Sequence, residues 1–201
     1  MPLRITLTDY GVGNLFSIKR SLEICGADVT VTSDMSELMD AECVVFPGVG
    51  AFDKTMERLQ PYREDIRRMS LDGTPILGIC IGMQIMFEGS AEGTTPGLGI
   101  FQGEVVPVEA DIVPHMGWNR VDSDDALFSD LPDDRFYFAH SFRGNPVDPG
   151  CIVGSTGYGG VTIPTFFRTA NTCGTQFHPE KSSAAGMAFL RNFITFAEGC
   201  L

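Results

Sequence analysis

One short segment carries a side chain suited to nucleophilic catalysis. Residues 78–82 read Gly-Ile-Cys-Ile-Gly and follow an apolar run, which is the layout of a nucleophile elbow with cysteine in the serine position. In an elbow a strand turns sharply into a helix, and the dipole at the helix N-terminus favours the thiolate of Cys80 over the thiol. The glycines leave room for the crowded backbone. Cys80 is therefore a candidate nucleophile, and a buried structural thiol is the alternative.

A second segment supplies a base and a carboxylate. Residues 176–180 read Gln-Phe-His-Pro-Glu at the end of another apolar run. In an extended segment residues two apart face the same side, so Glu180 could orient the imidazole of His178 and stabilise its charged form. The alternative is an exposed His-x-Glu pair at a strand end that has no catalytic role. Combined with Cys80, the pair predicts a Cys80–His178–Glu180 triad.

A metal site is the weaker interpretation of these histidines. The chain has only three, at positions 115, 140 and 178, and no two of them have the spacing of metal ligands on a helix or hairpin. The six cysteines are also scattered, without metal-type spacing. We therefore expect neither a metal nor a cofactor.

The loop at residues 47–50, Pro-Gly-Val-Gly, follows an apolar run and has few side chains. Such a loop can donate backbone N–H groups to a developing oxyanion. We take Val49 and Gly50 as candidate donors, with the N–H of Ile81 as a further donor. A plain turn is the alternative interpretation of this loop.

The elements that must position these residues predict an α/β fold. In the first half strands and helices alternate, which indicates a mostly parallel open sheet flanked by helices, with functional loops at the carboxyl ends of the strands. The second half, from about Gly99, is richer in Gly, Pro and short β-like runs. We expect these runs to extend the sheet with mixed or antiparallel strands. The predicted strands are Leu3–Thr8, Val29–Thr32, Cys43–Phe46, Pro75–Ile79, Gly103–Val108, Arg135–Ala139, Cys151–Gly154 and Thr165–Arg168; the predicted helices follow Asn14, cover Asp53–Leu71, follow Gly82 and cover Ala184–Ala197.

Composition limits the class of protein. With 201 residues, of which 43% are hydrophobic and 20% charged, the chain is expected to form a single domain over residues 1–201. The net charge of −12 argues against nucleic acid and anionic membranes as partners. No apolar run approaches the ~18 residues of a membrane span, and the N-terminus lacks a signal-peptide pattern. Scattered, reduced cysteines favour a cytoplasmic location.

The motifs resemble those of the class I glutamine amidotransferases, whose glutaminase domains use Cys-His-Glu in this order. The Pro-Gly-Val-Gly loop favours one branch of that family, the glutaminase subunits of imidazole glycerol phosphate synthases. It disfavours the branches that serve anthranilate, carbamoyl phosphate or GMP synthesis. The similar segments occur in order along nearly the whole chain: Asp9–Asn14, Pro47–Phe52, Gly78–Gln84, Pro114–Asn119, Tyr137–Phe142 and Gln176–Ser182.

The resemblance implies that L-glutamine is hydrolysed to glutamate and ammonia. It implies that Gln84, Glu92, Ser141 and Phe142 hold the substrate, although Glu92 could also be a solvated loop acid. Three competing hypotheses are the glutaminase of pyridoxal phosphate synthesis, a glutamyl-peptide hydrolase, and an interaction subunit without activity.

The resemblance also implies a partner. In this branch the ammonia passes within a heterodimer to a (β/α)-barrel synthase, or cyclase, subunit. That subunit makes imidazole glycerol phosphate and aminoimidazole carboxamide ribotide in histidine biosynthesis. The implied docking face contains Asn14, Trp118, Tyr137 and Lys181. A core position is the alternative for Trp118, the only tryptophan.

Overall fold

A computed structural model of the protein describes residues 1–11, 15–48 and 50–201. Strands and helices alternate over the first half, and strands dominate the second. The strands are β1 Arg4–Thr8, β2 Asp28–Thr32, β3 Cys43–Phe46, β4 Ile76–Ile79, β5 Gly89–Ser90, β6 Gly103–Pro107, β7 His115–Arg120, β8 Arg135–His140, β9 Phe142–Pro146, β10 Ile152–Tyr158, β11 Val161–Thr169 and β12 Thr172–Thr175; the α-helices are α1 Leu15–Ile24, α2 Phe52–Leu59, α3 Arg63–Leu71, α4 Ile81–Gln84 and α5 Ser183–Glu198.

The central sheet has seven strands in the order β10-β11-β12-β4-β3-β1-β2. The five strands from β12 to β2 are parallel, and β11 and β10 continue the sheet in antiparallel fashion. Every residue of β3, β4 and β12 is buried, as expected for parallel strands covered on both faces. The predicted α/β class with a mostly parallel sheet is confirmed.

Helices cover both faces of this sheet. Side chains of α1 and α5 pack on one face with Leu3, Ile5 and Leu7. Side chains of α2 and α3 pack on the other face with Val44 and Phe46. Alternate residues of β3 therefore belong to different cores, because successive side chains of a strand point to opposite faces. In the described part of the chain, every helix is too short or too polar to cross a lipid bilayer.

The second half differs from the expectation that its strands all extend the main sheet. Of the four predicted runs, only those at 151–154 and 165–168 do so, in β10 and β11, and the main sheet also takes in β12. The run at 103–108 forms β6 in a separate sheet with β5 and β9, and the run at 135–139 forms β8, which pairs with β7. Local β-propensity identifies a strand, whereas its partner depends on contacts distant in sequence.

Two predicted helices are shorter than expected. The helix predicted over Asp53–Leu71 is divided at residues 60–62 by a 3₁₀ turn that contains Pro61, because proline lacks an N–H and clashes with the preceding helical turn. The helix predicted after Gly82 is limited to the single turn of α4. It ends there because the backbone carbonyls of residues 85–87 accept hydrogen bonds from the N–H groups of Leu98–Phe101 rather than from a next helical turn.

Candidate active site

Cys80 lies at the junction of β4 and α4, at the carboxyl end of the sheet. Its φ of 49° and ψ of −106° are unfavourable for a residue with a side chain, at a cost of about 1–3 kcal/mol. Its N–H donates to the carbonyl of Thr175 at 2.6 Å, which ties the turn to β12. The sharp turn thus presents the thiol at the end of the sheet.

The two glycines of the elbow are required by close packing. A Cβ on Gly82 would lie 2.1 Å from the carbonyl oxygen of Phe46, and a Cβ on Gly78 would lie 2.5 Å from the carbonyl oxygen of Gly82. Contacts below 3.0 Å are essentially never observed for real Cβ atoms. Helix α4 can therefore approach β3 and β4 this closely only without side chains at these two positions.

His178 and Glu180 follow β12, the neighbour of β4. His178 Nδ1 lies 2.9 Å from Glu180 Oε1, and both side chains are buried. The two side chains do not meet through the expected alternation along a strand. Glu180 belongs to a 3₁₀ turn over residues 179–181, and this turn folds the carboxylate back toward the imidazole. The N–H of His178 donates to the carbonyl of Tyr137 at 2.9 Å, so β8 fixes the backbone of the base.

The electrostatics of this group favour a charged imidazole. Burial by itself lowers the pKa of His178, but the charge of a Cys80 thiolate, its hydrogen bond and the contact with Glu180 together raise the pKa to about 10. Next to an ionised Cys80, a pKa above the ordinary value means that His178 carries a proton at neutral pH. The arrangement can therefore deliver a proton to a leaving group next to Cys80.

A cavity of about 330 Å³ opens beside the thiol. The Nε2 of Gln84 donates to the carbonyl of Phe142 at 3.1 Å on its wall. Glu92 Oε2 accepts from the N–H of Phe52 at the start of α2, at 3.3 Å. The predicted substrate residues and two of the predicted oxyanion donors therefore share one cavity. Its lining is Gly48, Gly50, Cys80, Ile81, Gln84, Glu92, Pro114, Met116, Ala139, His140, Ser141 and Phe142.

Two of the sequence-predicted site residues cannot be placed. Val49, a candidate oxyanion donor, and Asn14, a candidate interface residue, lie outside the described residues. Gly48 of the predicted oxyanion loop is close to the base, since a Cβ on Gly48 would lie 2.8 Å from His178 Cε1. Gly48 thus adjoins the triad.

The predicted docking residues lie on the surface near the cavity. Trp118 is 51% exposed, which excludes the core position left open by the sequence. Its ring contacts Tyr137 edge-on, with centroids 6.2 Å apart. Lys181 is exposed and directly follows Glu180. Met116, two residues before Trp118 in β7, is 64% exposed and also lines the cavity.

Sequence reasoning missed several residues of the site. Gln176 Nε2 donates toward Cys80 Sγ at 3.7 Å, and the thiol lies 4.0 Å from the carbonyl of Ala139. Met116 and His140 belong to motifs that resemble the family, but no role was inferred for either. The position of each residue inside these motifs was the sequence signal that could have identified it as part of the site.

Comparison with known proteins identifies the family of this chain. The family model described as glutamine amidotransferase class-I matches residues 6–196. Among curated proteins, the imidazole glycerol phosphate synthase subunit HisH of Nostoc punctiforme is 43% identical, with 96% of each chain covered. The protein of the same name from Methanocaldococcus jannaschii is 42% identical, covering 94% of this chain and 98% of its own.

Solved structures share the fold. A crystal structure of a glutamine amidotransferase has a TM-score of 0.76 at 15% identity, covering 96% of this chain and 98% of its own. A chain in the structure of PurLQS from Thermotoga maritima has a TM-score of 0.68 at 20% identity, covering 98% of this chain and 99% of its own. At such identities the likeness concerns the fold, and the closer sequence relatives decide the family. The chain belongs to the class I glutamine amidotransferases and, among them, to the HisH subunits of imidazole glycerol phosphate synthase.

Proposed function

We propose that this chain hydrolyses L-glutamine to glutamate and ammonia with a Cys80–His178–Glu180 triad, as the glutaminase subunit of imidazole glycerol phosphate synthase. The observation that carries the proposal is that Cys80 lies on a strained elbow after β4 while a buried His178–Glu180 pair follows the neighbouring strand β12, beside one cavity. Family membership identifies glutamine as the amide donor.

The chemistry proceeds in two halves. The Cys80 thiolate attacks the side-chain carbonyl carbon of glutamine, and the C–N bond then breaks as His178 gives its proton to the departing ammonia. Neutral His178 next removes a proton from water, which attacks the thioester carbon. The C–S bond breaks, glutamate leaves, and the thiolate and imidazolium are restored. Glu180 holds the imidazole through Nδ1 and stabilises its positive charge.

Backbone N–H groups stabilise the oxyanion in both halves. Ile81 is the first residue of α4, where N–H groups have no acceptor within the helix. Its N–H and those of Val49 and Gly50 are the proposed donors. One such donor contributes about 10²–10³ in rate.

Polar groups of the cavity recognise the substrate backbone. We assign Glu92 to the α-ammonium group, because an ionised pair between a carboxylate and an ammonium gives a strong hydrogen bond. Gln84 and the backbone at Ser141 and Phe142 are assigned to the rest of the glutamine. These roles explain why a carboxylate and a carboxamide line a small cavity next to the thiol.

The ammonia is proposed to enter a (β/α)-barrel cyclase subunit bound to this chain as a heterodimer, in histidine biosynthesis. Met116 lines the cavity, and Trp118 is exposed two residues along the same strand. Together with Tyr137, which contacts Trp118, and the exposed Lys181, these residues support this docking face. Asn14 is assigned to the same face from the motif alone. A cytoplasmic location is inferred from six free thiols.

The decisive experiment is a glutaminase assay after co-purification with the cyclase subunit. Glutamate is measured with and without the ligand of the cyclase, and a glutamine-mimicking chloroketone is used to alkylate the enzyme. We expect hydrolysis in the liganded complex and covalent labelling at Cys80 alone among the six cysteines. Association without hydrolysis or labelling would favour an interaction subunit that lacks activity.

A further inference from the structure

Two buried histidines lie at one wall of the cavity, and His140 is part of its lining. His115 begins β7 and is paired in register with His140, the last residue of β8. Their exposed fractions are 2% and 5%. His115 Nδ1 lies 3.0 Å from His140 Nε2, and His140 Nδ1 lies 2.7 Å from the carbonyl oxygen of Phe142. At the other end Asn119 Nδ2 lies 3.4 Å from His115 Nε2. The four groups form a continuous chain of polar atoms.

The carbonyl of Phe142 determines the direction of every hydrogen bond in this series. An oxygen of this kind only accepts, so His140 Nδ1 must carry the hydrogen. Burial lowers the pKa of His115 to about 4. It also lowers the pKa of His140 to about 3, with smaller contributions from His115 and His178 and against the hydrogen bond to Phe142. Each ring therefore has a single N–H at neutral pH. His140 Nε2 must accept from His115 Nδ1, and His115 Nε2 must accept from Asn119.

The carbonyl at the end of this chain belongs to the substrate wall. The Phe142 oxygen accepts from His140 and also from Gln84 Nε2, at 3.1 Å. Both Gln84 and Phe142 line the cavity. Fixing this oxygen therefore fixes the orientation of the Gln84 carboxamide.

The His115 end of this hydrogen-bonded series is equally constrained. The His115 ring is stacked between Tyr158 and Phe138, with centroid distances of 3.9 and 4.5 Å, so it has little freedom to rotate. On β7 the inward residue His115 alternates with the exposed residues Met116 and Trp118. One strand thus carries the relay on its inner side and the proposed docking residues on its outer side.

We propose that His115 and His140 are positioning residues, which form a one-directional hydrogen-bond relay that holds the Phe142 carbonyl and the Gln84 carboxamide in the arrangement that receives glutamine. The relay couples this wall to strand β7 and thereby to the docking face. The inference rests on the proposed function of the cavity as the glutamine site. Neither imidazole is assigned a contact with the reacting atoms.

The first test is spectroscopic. Long-range ¹H–¹⁵N correlation spectra of the histidine side chains distinguish the Nδ1–H from the Nε2–H tautomer. The chain has three histidines, so His115→Phe and His140→Asn assign the signals by their loss. We expect both rings to be neutral Nδ1–H tautomers between about pH 6 and 8. An Nε2–H tautomer or a titration at either ring would overturn the relay.

The second test separates positioning from simple stabilisation. In the complex with the cyclase, His140→Leu removes the donor to Phe142, and we expect the KM for glutamine to rise about tenfold with a smaller change in kcat. His140→Asn keeps a donor near the Nδ1 position and should restore the KM to within about twofold. His115→Phe keeps the aromatic stack but leaves His140 Nε2 unpaired, so an intermediate rise of about threefold is expected.

Control measurements separate a loss of substrate positioning from a loss of stability or of cyclase activity. Thermal unfolding of every variant measures any structural cost, and ammonia-dependent synthesis by the same complexes reports an intact cyclase. A lower melting temperature with an unchanged KM in His140→Leu would overturn the relay alone. Absence of glutamine hydrolysis by the unaltered complex would instead overturn the proposed function. If His140→Leu fails to fold, the tautomers of His115 and His140 in the unaltered chain still test the relay.

Discussion

The contact between Gly82 and strand β3 gives a sharp quantitative prediction. In Gly82→Ala the new Cβ would start 2.1 Å from the carbonyl oxygen of Phe46, and the closest real contacts are 3.0 Å. Helix α4 and β3 must therefore separate by about 0.9 Å or more. Both segments are fully buried, so the displacement moves the elbow rather than a flexible surface group.

The expected effects on stability and activity differ in size. Overpacking a core costs about 1–3 kcal/mol, whereas alanine is favoured over glycine in a helix by about 1 kcal/mol. The net cost is about 1 kcal/mol, or roughly 2–4 °C in melting temperature for a domain of this size. A displacement near 1 Å at a catalytic group can cost about 100-fold in rate. Activity should therefore fall far more than stability.

The assay compares kcat for glutamine in the cyclase complex, measured well below the melting temperature. Gly157→Ala is the matched control, because its added Cβ has no neighbour within 4 Å among the described residues. We expect the control to behave like the unaltered chain. Unaltered kcat in Gly82→Ala would refute the reasoning, because the elbow would then tolerate displacement.

Three further predictions concern the triad and the docking face. Cys80→Ser should abolish glutamine hydrolysis because a serine alkoxide is much harder to form; ammonium-dependent synthesis in the complex should persist, and normal glutamine turnover would reject the nucleophile. Glu180→Gln removes a negative charge that, after the larger contribution of Cys80, raises the pKa of His178, so the imidazole should lose its proton at a lower pH than in the unaltered chain in an NMR titration; an unshifted titration would contradict the pairing. Trp118→Ala should weaken association with the cyclase by about 2 kcal/mol and release glutamate in excess over imidazole glycerol phosphate; unchanged affinity in a titration with the cyclase, with equal product yields, would remove Trp118 from the interface.

Local sequence patterns were sufficient for the four parallel strands of the first half, although β12, the fifth parallel strand, was not predicted. The strand predicted at Cys43–Phe46 has the observed bounds, because an unbroken apolar run can be satisfied only between two covering layers. The turn at residues 78–82 could also be inferred locally, since the glycines that allow close packing flank the cysteine. Both features depend on neighbours along the chain.

Features that depend on distant contacts were not predictable. Helix α4 is one turn long because the N–H groups of residues 98–101 bond the carbonyls of residues 85–87, which would otherwise continue the helix, and nothing within the helix encodes that competition. The His115–His140 pair depends on the register of β7 and β8. Glu180 meets His178 through a 3₁₀ turn rather than by strand alternation, so the expected contact occurs for a different reason.

The parallel pairing of β4 with β12 has a consequence for how this site can diversify. Ile79 and Thr175 are register partners, so the nucleophile and the base each leave the sheet from adjacent strands, whose separation is about 4.8 Å in any sheet. The pairing of β4 with β12 thus sets the spacing of the two strand ends directly, without depending on the lengths of the loops between them. Insertions or deletions in the loops between β6 and β11 can reshape the surface while this spacing stays constant.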